Sequence, residues 1–217
     1  SWRHSVQKKG PARPINPARM SLQEERPEAG SPAPHTRVLL LSDGRPGHYR
    51  QSEGVVAAES SLGLVDGANG RLLYRGYRIG DLVEHGSFPA VAELLWTGQW
   101  RPDVFLGTAP LPDPVVTALR ALPASAKPMD ALRTAVSVWG ATQDLAWPPT
   151  VGQARAITAF SPSALAAFAR LRRGDPIVEP DPSLPLVTGF LYQLNGRLPD
   201  EATARALDAY FIVGAEH

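Results

Sequence analysis

The sequence predicts a mainly α-helical protein with a small β-hairpin and a disordered N-terminal tail. Three observations support this fold class: a helical periodicity in Pro128–Gly140, a glycine-rich turn at 67–70 between two short apolar runs, and prolines throughout residues 1–36. In Pro128–Gly140 apolar residues recur at steps of three and four, which places one apolar stripe along a helix that spans this segment. The stripe is Met129, Leu132, Val136 and Trp139.

Composition limits the classes of function. The 217 residues are 43% apolar, which is enough for a buried core, and a net charge of +1 gives no general attraction to nucleic acid or to an acidic membrane. The lack of cysteine excludes disulfides, thiolate zinc sites and a cysteine nucleophile. The five histidines have no paired spacing, so we expect no metal site. No apolar run approaches the roughly 18 residues that span a bilayer, and we expect a cytoplasmic protein.

The first 36 residues have the composition of a disordered chain. They carry six prolines and scattered charge but almost no aliphatic cluster, so they cannot bury enough apolar surface to offset the entropy of ordering. The chain begins with Ser1, and Met20 lies ahead of the next apolar run. We therefore favour a natural start at Met20 over one at Ser1.

Residues 37–52 form a segment of different character. The aliphatic run Thr36–Ser42 is typical of a buried strand, and a glycine-containing turn, Asp43–His48, follows it. The run SDGRPGH resembles the N-terminus of a glycosyltransferase-like family of mitochondrial fission proteins. No strand–helix repeats follow, so we expect a strand–turn segment of unrelated origin, joined to the remainder near residue 53.

A β-hairpin is predicted at residues 64–74. Leu64–Asp66 and Arg71–Tyr74 are short apolar runs on either side of a turn whose glycines accept positive φ. Arg75 and Tyr77 follow directly. We expect them to hold a turn through side-chain hydrogen bonds rather than to take part in catalysis.

Further helices are predicted before and after the amphipathic segment. Ser87 can cap a helix over Ser87–Gly98, and Pro112–Leu122 gives a shorter one. A long helical stretch covers Val151–Arg173, in which Ser161-Pro162 either restarts or kinks the helix.

The remaining part of the chain predicts a loop and two helices. Gly174–Pro185 holds four prolines and must be a loop, and Gly196 is placed to end the helix that follows it. The last helix begins near Pro199. We expect its inward residues to be Leu207, Tyr210, Phe211 and Val213.

Three arginines at the end of the long helix allow two interpretations. Arg170, Arg172 and Arg173 could form an anion site. A helix C-terminus favours cations in any case, so we expect a solvated face instead.

Several of these segments resemble segments of the citrate synthase family in amino-acid sequence, and they occur in the same order along the chain. The matching runs are DGANGRLLYRGYRIGDL, LLWTG, PMDALRTAVS, FLYQLNG and ALD, and the resemblance extends from about residue 53 to residue 217. It implies a partial large helical domain, a homodimer, and the N-terminal half of an enzyme of the tricarboxylic acid cycle. That enzyme condenses acetyl-CoA with oxaloacetate to give citrate and CoA, and it uses no cofactor beyond the thioester substrate.

The end of the chain carries one candidate binding residue. The run Gly214-Ala215-Glu216-His217 falls where the family has a His-Ala-Asp-His type motif, with Gly214 in place of histidine and Glu216 in place of aspartate. By this resemblance His217 binds oxaloacetate, whereas the proton-transferring residues of the family match nothing here. We therefore expect no catalytic residue within these 217 residues, no activity from them alone, and an open apolar face that favours aggregation.

Three alternatives remain open from the sequence. The first is a relative of 2-methylcitrate synthase, which would use a different acyl-CoA. The second is a non-catalytic helical module that retains only dimer-forming helices. A third and weaker option places function in Ser42–His48, as the remnant of a nucleotide-sugar-binding loop.

Overall fold

The computed structural model describes residues 61–66, 70–123 and 125–216. The chain divides into two compact units between residues 85 and 86. The predictions for residues 1–36, for the segment 37–52 and for His217 fall outside the described residues, as does most of the hairpin turn. They stay predictions.

In the first unit the described residues form a three-stranded antiparallel sheet followed by a short helix. The strands are β1 (Gly63–Asp66), β2 (Arg71–Tyr74) and β3 (Tyr77–Arg78), in that order across the sheet, and α1 covers Ile79–His85. Gly63 pairs with Tyr74, which confirms the predicted hairpin. The third strand was not predicted, because two residues are too few to show a period.

Arg75 holds the turn between β2 and β3. Its backbone has a positive φ of 49°, which a non-glycine residue adopts only at some cost. The Arg75 amide donates to the Leu62 carbonyl at 2.8 Å, and its guanidinium Nη1 donates to Ser61 Oγ at 2.7 Å. These bonds confirm the predicted role of Arg75 in a turn.

The second unit is helical in its described residues. Its helices are α2 (Phe88–Thr97), α3 (Asp113–Ala121), α4 (Pro128–Ala141), α5 (Val151–Arg173), α6 (Leu186–Asn195) and α7 (Glu201–Val213). Each lies within a few residues of a predicted helix, because proline, cap and glycine signals mark the ends. Ser87 Oγ accepts from the Ala90 amide and Gly196 ends α6 with a φ of 71°, so both predicted caps are confirmed.

The core of this unit lies between α3, α4 and α5, and it corrects the predicted stripe of α4. The buried residues of α4 are Ala131, Ala135 and Trp139, and Trp139 stacks on Phe160 of α5 with ring centroids 5.2 Å apart. Met129, which we expected inside, is 62% exposed. The buried face of α4 is centred on its alanines, because small side chains let the axes of two helices approach closely. A sequence pattern based on large apolar residues does not detect such a face.

Helix α5 runs through Pro162 without restarting. It spans Val151–Arg173 as one helix, and Ser161 Oγ donates to the Ile157 carbonyl at 2.7 Å one turn before the proline. Of the two predicted alternatives, a restart at Pro162 is therefore wrong, and a kink there stays a prediction. Because packing on both faces holds the helix, the single backbone hydrogen bond that proline removes does not end it.

A buried carboxylate joins α2 to α5. Glu93 is 1% exposed, and Arg155 binds it with two donors, Nε at 3.0 Å to Oε2 and Nη2 to Oε1. This bidentate geometry satisfies both carboxylate oxygens. The pair fixes the position of α2 along α5, since an unpaired carboxylate at this depth would be costly.

We predict that Arg155→Met destabilises the fold by about 2–3 kcal/mol. That is less than the roughly 3–5 kcal/mol for a fully buried pair, because the Arg155 side chain is 44% exposed. The double variant Glu93→Met/Arg155→Met should recover most of the loss, since it leaves no unpaired charge. Urea unfolding of both variants tests this, and a double variant no more stable than the single one contradicts it.

Two glycines with left-handed backbone allow a matched comparison. Gly174 has a φ of 77° with open space around its Cα, whereas a Cβ at Gly196 would lie 3.0 Å from Arg170 Nη1. We predict a loss of about 1 kcal/mol for Gly174→Ala from backbone strain alone. Gly196→Ala should lose at least 1 kcal/mol more, at about 2 kcal/mol or above, because the buried Arg170 must also move. Equal losses in the free energy of unfolding for the two variants, measured in urea, would show that the Arg170 side chain moves aside without cost.

Candidate functional site

The candidate site begins at the C-terminal end of α7. Asp200 caps the other end of this helix and accepts from the Thr203 amide at 2.8 Å. After Val213 the chain makes a turn in which the Gly214 amide donates to Tyr210 O at 3.1 Å and the Ala215 amide to Ile212 O at 3.3 Å. His217, the residue predicted to bind oxaloacetate, lies just outside the described residues.

The predicted inward face of α7 is partly wrong. Ile212 is its fully buried residue, whereas Tyr210 is 73% exposed and Val213 is exposed as well. Leu207 and Phe211 are partly buried. The helix packs against both α2 and α6, and the apolar side chains of its last turns that face neither neighbour stay exposed.

Three contacts join α7 to the beginning of α2, and we name them the α2–α7 clamp. Asp208 Oδ1 accepts from the Phe88 amide at 3.0 Å, and Arg205 Nη1 donates to the Gly86 carbonyl at 3.3 Å. The rings of Phe88 and Phe211 lie 5.4 Å apart in a tilted arrangement. The clamp gives α7 a directional attachment in addition to its apolar packing.

The Asp208 carboxyl is shielded from water, with a side-chain exposure of 13%. Burial raises its pKa above the ordinary aspartate value, and the Phe88 amide and the Arg205 charge oppose that rise only in part. The Asp200 cap behaves in the opposite way, because hydrogen bonds from Thr203 lower the pKa of that exposed carboxyl.

The arginines at the end of α5 contact backbone carbonyls. Arg170 is buried and donates to the Pro176 and Leu194 carbonyls, and Arg173 also donates to Leu194 O, at 2.6 Å. Arg172 donates to the Ala126 carbonyl at 3.1 Å. The predicted solvated face is thus wrong for Arg170, because the last carbonyls of α6 need donors and a guanidinium supplies several.

Among the cavities lined by the described residues of the second unit, two have volumes of several hundred Å³. One of about 530 Å³ has mostly apolar walls from α5 and α6, with Arg172 and Arg173 at its rim. The other, of about 400 Å³, is lined partly by polar side chains that include Asp113, Arg120 and Gln193. The described residues of α7 line neither of these two cavities.

No residues in the described part of the chain form a cluster of ligands for a metal ion. The helices of the described ranges include none that is both long and apolar enough to cross a bilayer.

The comparison with family models gives one match over most of the chain. Residues 51–217 match the model described as the citrate synthase C-terminal domain. The chain belongs to the citrate synthase family. The family resemblance noted at the hairpin, at α4 and at α7 is thereby confirmed.

Curated citrate synthases are similar to this chain over the same region. The citrate synthase of Haloferax volcanii is 40% identical over 184 residues, which is 77% of this chain and 48% of the relative. That of Acidithiobacillus ferridurans is 35% identical over 76% of this chain and 47% of the relative. A 2-methylcitrate synthase of Mycobacterium tuberculosis is 31% identical over 81% of this chain and 47% of the relative. The chain spans about half the length of the curated relatives it matches.

Solved citrate synthases share the fold. The enzyme of Thermotoga maritima superposes with a TM-score of 0.64 at 26% identity, over 76% of this chain and 45% of that chain. The enzyme of Pyrobaculum aerophilum superposes with a TM-score of 0.65 at 27% identity, over 75% of this chain and 46% of that chain. The predicted fold class, a partial citrate synthase-like helical domain with a small β element, is confirmed.

We predict a pH dependence of stability that separates Asp208 from Asp200. A carboxyl whose folded pKa is raised binds protons more tightly in the folded state, so folding stability falls as pH rises from the unfolded pKa through the folded one. Asp208→Asn keeps an acceptor for the Phe88 amide and removes this fall. The folding stability of Asp208→Asn relative to that of wild type should therefore increase as the pH is raised from about 3 to about 7.

Asp200→Asn is the control, with the opposite sign. The lowered pKa of Asp200 gives stability that is present above the unfolded pKa and is lost as pH falls through the folded pKa. The difference in folding stability between Asp200→Asn and wild type should therefore be more unfavourable at pH 7 than at low pH. Thermal melts across this range measure both effects, and slopes of the same sign would refute the assignment.

Proposed function

We propose that this chain is part of a citrate synthase that condenses acetyl-CoA with oxaloacetate to give citrate and CoA. The observation that carries the proposal is the 40% identity to the Haloferax volcanii citrate synthase across 77% of the chain. The same proposal includes a homodimer, a cytoplasmic location and a place in the tricarboxylic acid cycle. The thioester is a substrate, and no further cofactor is required.

The chemistry of this reaction defines what the chain contributes. A carboxylate must remove a weakly acidic proton from the thioester methyl, and donors must stabilise the enolate oxygen that forms. Cationic and hydrogen-bonding groups must hold oxaloacetate and polarise its ketone. On the family motif, His217 is the group here that would contact oxaloacetate. These 217 residues thus supply a substrate-binding part of the site and not its proton-transfer groups.

The role of α7 follows from this assignment. Asp200 caps the start of the helix, and the turn at residues 214–216 is hydrogen-bonded to its last turn. The motif therefore follows directly after a regular element and its turn is hydrogen-bonded to that element, which favours a well-defined position for a binding residue.

A 2-methylcitrate synthase is the second candidate, and a specific observation favours it. The 2-methylcitrate synthase of Mycobacterium tuberculosis is 31% identical over 81% of this chain, which is a larger share than either citrate synthase covers. The two activities differ in one methylene of the acyl-CoA. A hydrophobic pocket discriminates one methylene by only about 1–3 kcal/mol, so the ratio of kcat/KM for acetyl-CoA and propionyl-CoA must be measured.

The test compares the 217-residue chain with the full-length product of the gene. We expect CoA release that depends on both oxaloacetate and acetyl-CoA from the full-length product, and none from the 217 residues alone, because one histidine cannot perform the enolisation. Release by the chain alone would overturn the second expectation. A full-length product that forms dimers but releases no CoA would favour a non-catalytic helical module.

His217→Ala in the full-length product tests the binding residue. We predict that it lowers kcat/KM for oxaloacetate by about 100-fold or more, which corresponds to the loss of roughly 2.7 kcal/mol of transition-state binding. His85→Ala is the matched control, since His85 is an exposed residue at the end of α1. Equal kinetics for the two variants would remove His217 from the site.

A further inference from the structure

We propose that Asp208 is a positioning residue for the oxaloacetate site, acting by fixing α7 against the beginning of α2. This inference rests on the proposed function, because it concerns the same binding motif. Asp208 lies six positions before Gly214, on the turn of α7 that faces α2. Its partners in the described part of the chain are the Phe88 amide and Arg205, so its effect on the motif is transmitted through the helix.

The first step is that the motif moves with α7. The Gly214 and Ala215 amides donate to Tyr210 O and Ile212 O, so the turn is tied to the last turn of the helix at 3.1 Å and 3.3 Å. Residue 217 is two residues beyond Ala215. A shift of α7 by about one ångström would therefore displace Gly214 and Ala215 by a similar distance, and a misplacement of that size is enough to impair a binding geometry.

The second step is that apolar packing alone leaves α7 able to slide. Ile212 is the fully buried residue of the helix, and Tyr210, two positions before it, is largely exposed. The apolar contacts of α7 with α2 and α6 are non-directional, so they resist a small translation or rotation of the helix less than a hydrogen bond does. The hydrogen bond from the Phe88 amide to Asp208 Oδ1 is directional, and it fixes the helix at one register.

The third step is that α2 is itself held. Seven of its ten residues are buried, and Glu93 binds Arg155 of α5. The Phe88 amide is at the positive end of the α2 dipole, where a carboxylate is a favoured partner. Arg205 lies 4.0 Å from the other oxygen of Asp208 and donates to the Gly86 carbonyl. The clamp thus joins α7 to a fixed part of the unit.

The test uses the full-length product with Asp208→Ala and Asp208→Asn. Alanine removes the acceptor, whereas asparagine keeps one for the Phe88 amide. We expect Asp208→Ala to raise KM for oxaloacetate about tenfold with KM for acetyl-CoA changed less than twofold. Asp208→Asn should stay within twofold of wild type for both. Asp200→Ala is the control, because it weakens the cap of the same helix without touching α2.

Hydrogen exchange gives a second measurement that does not need activity. Asp208→Ala should speed exchange of the Phe88 amide and of the amides at residues 214–216 at least fivefold, while Asp208→Asn and Asp200→Ala should leave these amides near wild type. Exchange at wild-type rates in Asp208→Ala overturns the proposal.

The kinetic outcomes separate the two proposals. If wild type releases no CoA, the proposed function fails, and the exchange pattern still decides whether Asp208 fixes α7. If wild type is active and Asp208→Ala lowers only the melting temperature, or Asp200→Ala raises KM for oxaloacetate as much, the positioning role is refuted. A tenfold rise in KM that asparagine rescues supports it.

Discussion

Burial of α5 on several sides is the constraint on which the larger unit depends. Its alanines at 159, 164, 166 and 167 are buried and allow α3, α4 and α6 to approach closely. Its polar residues then fix the neighbours in register. Arg155 binds Glu93 of α2, Ser163 donates to Gln193 of α6 at 3.1 Å, and Arg170 holds the carbonyls at the end of α6. The helix carries Pro162 in its interior because so many contacts surround it.

The helices and their ends could be predicted from sequence because their signals are local. A cap, a first-turn proline and a terminal glycine act within a few residues, and Ser87 and Gly196 both occupy the positions that such signals indicate. Which face of a helix is buried depends on the neighbour it meets. Met129 and Tyr210 were therefore expected to be buried but are exposed, because the neighbouring helices do not cover the side of the helix on which each residue lies.

The candidate site was less accessible from sequence. His217 came from a family motif, while the residues that hold α2 in place pair with partners far along the chain, 62 positions for Glu93 with Arg155 and 120 for Asp208 with Phe88. One signal could have revealed the first pair, since a glutamate inside the apolar run AVAELLW must be buried and must have a partner. No local pattern marks Asp208, because an exposed-looking aspartate in a helix is common.

The α2–α7 clamp also determines the order in which the larger unit can be completed. It closes the longest loop among the contacts described above, between the first and the last helix of the unit. During synthesis the segment that becomes α2 leaves the ribosome more than a hundred residues before its partner, so the surface that α7 covers stays exposed until residue 208 has also left the ribosome. Local helix pairs such as α3 with α4 have no such delay. Among the described helices of the larger unit, α7 is thus the last that can take its place.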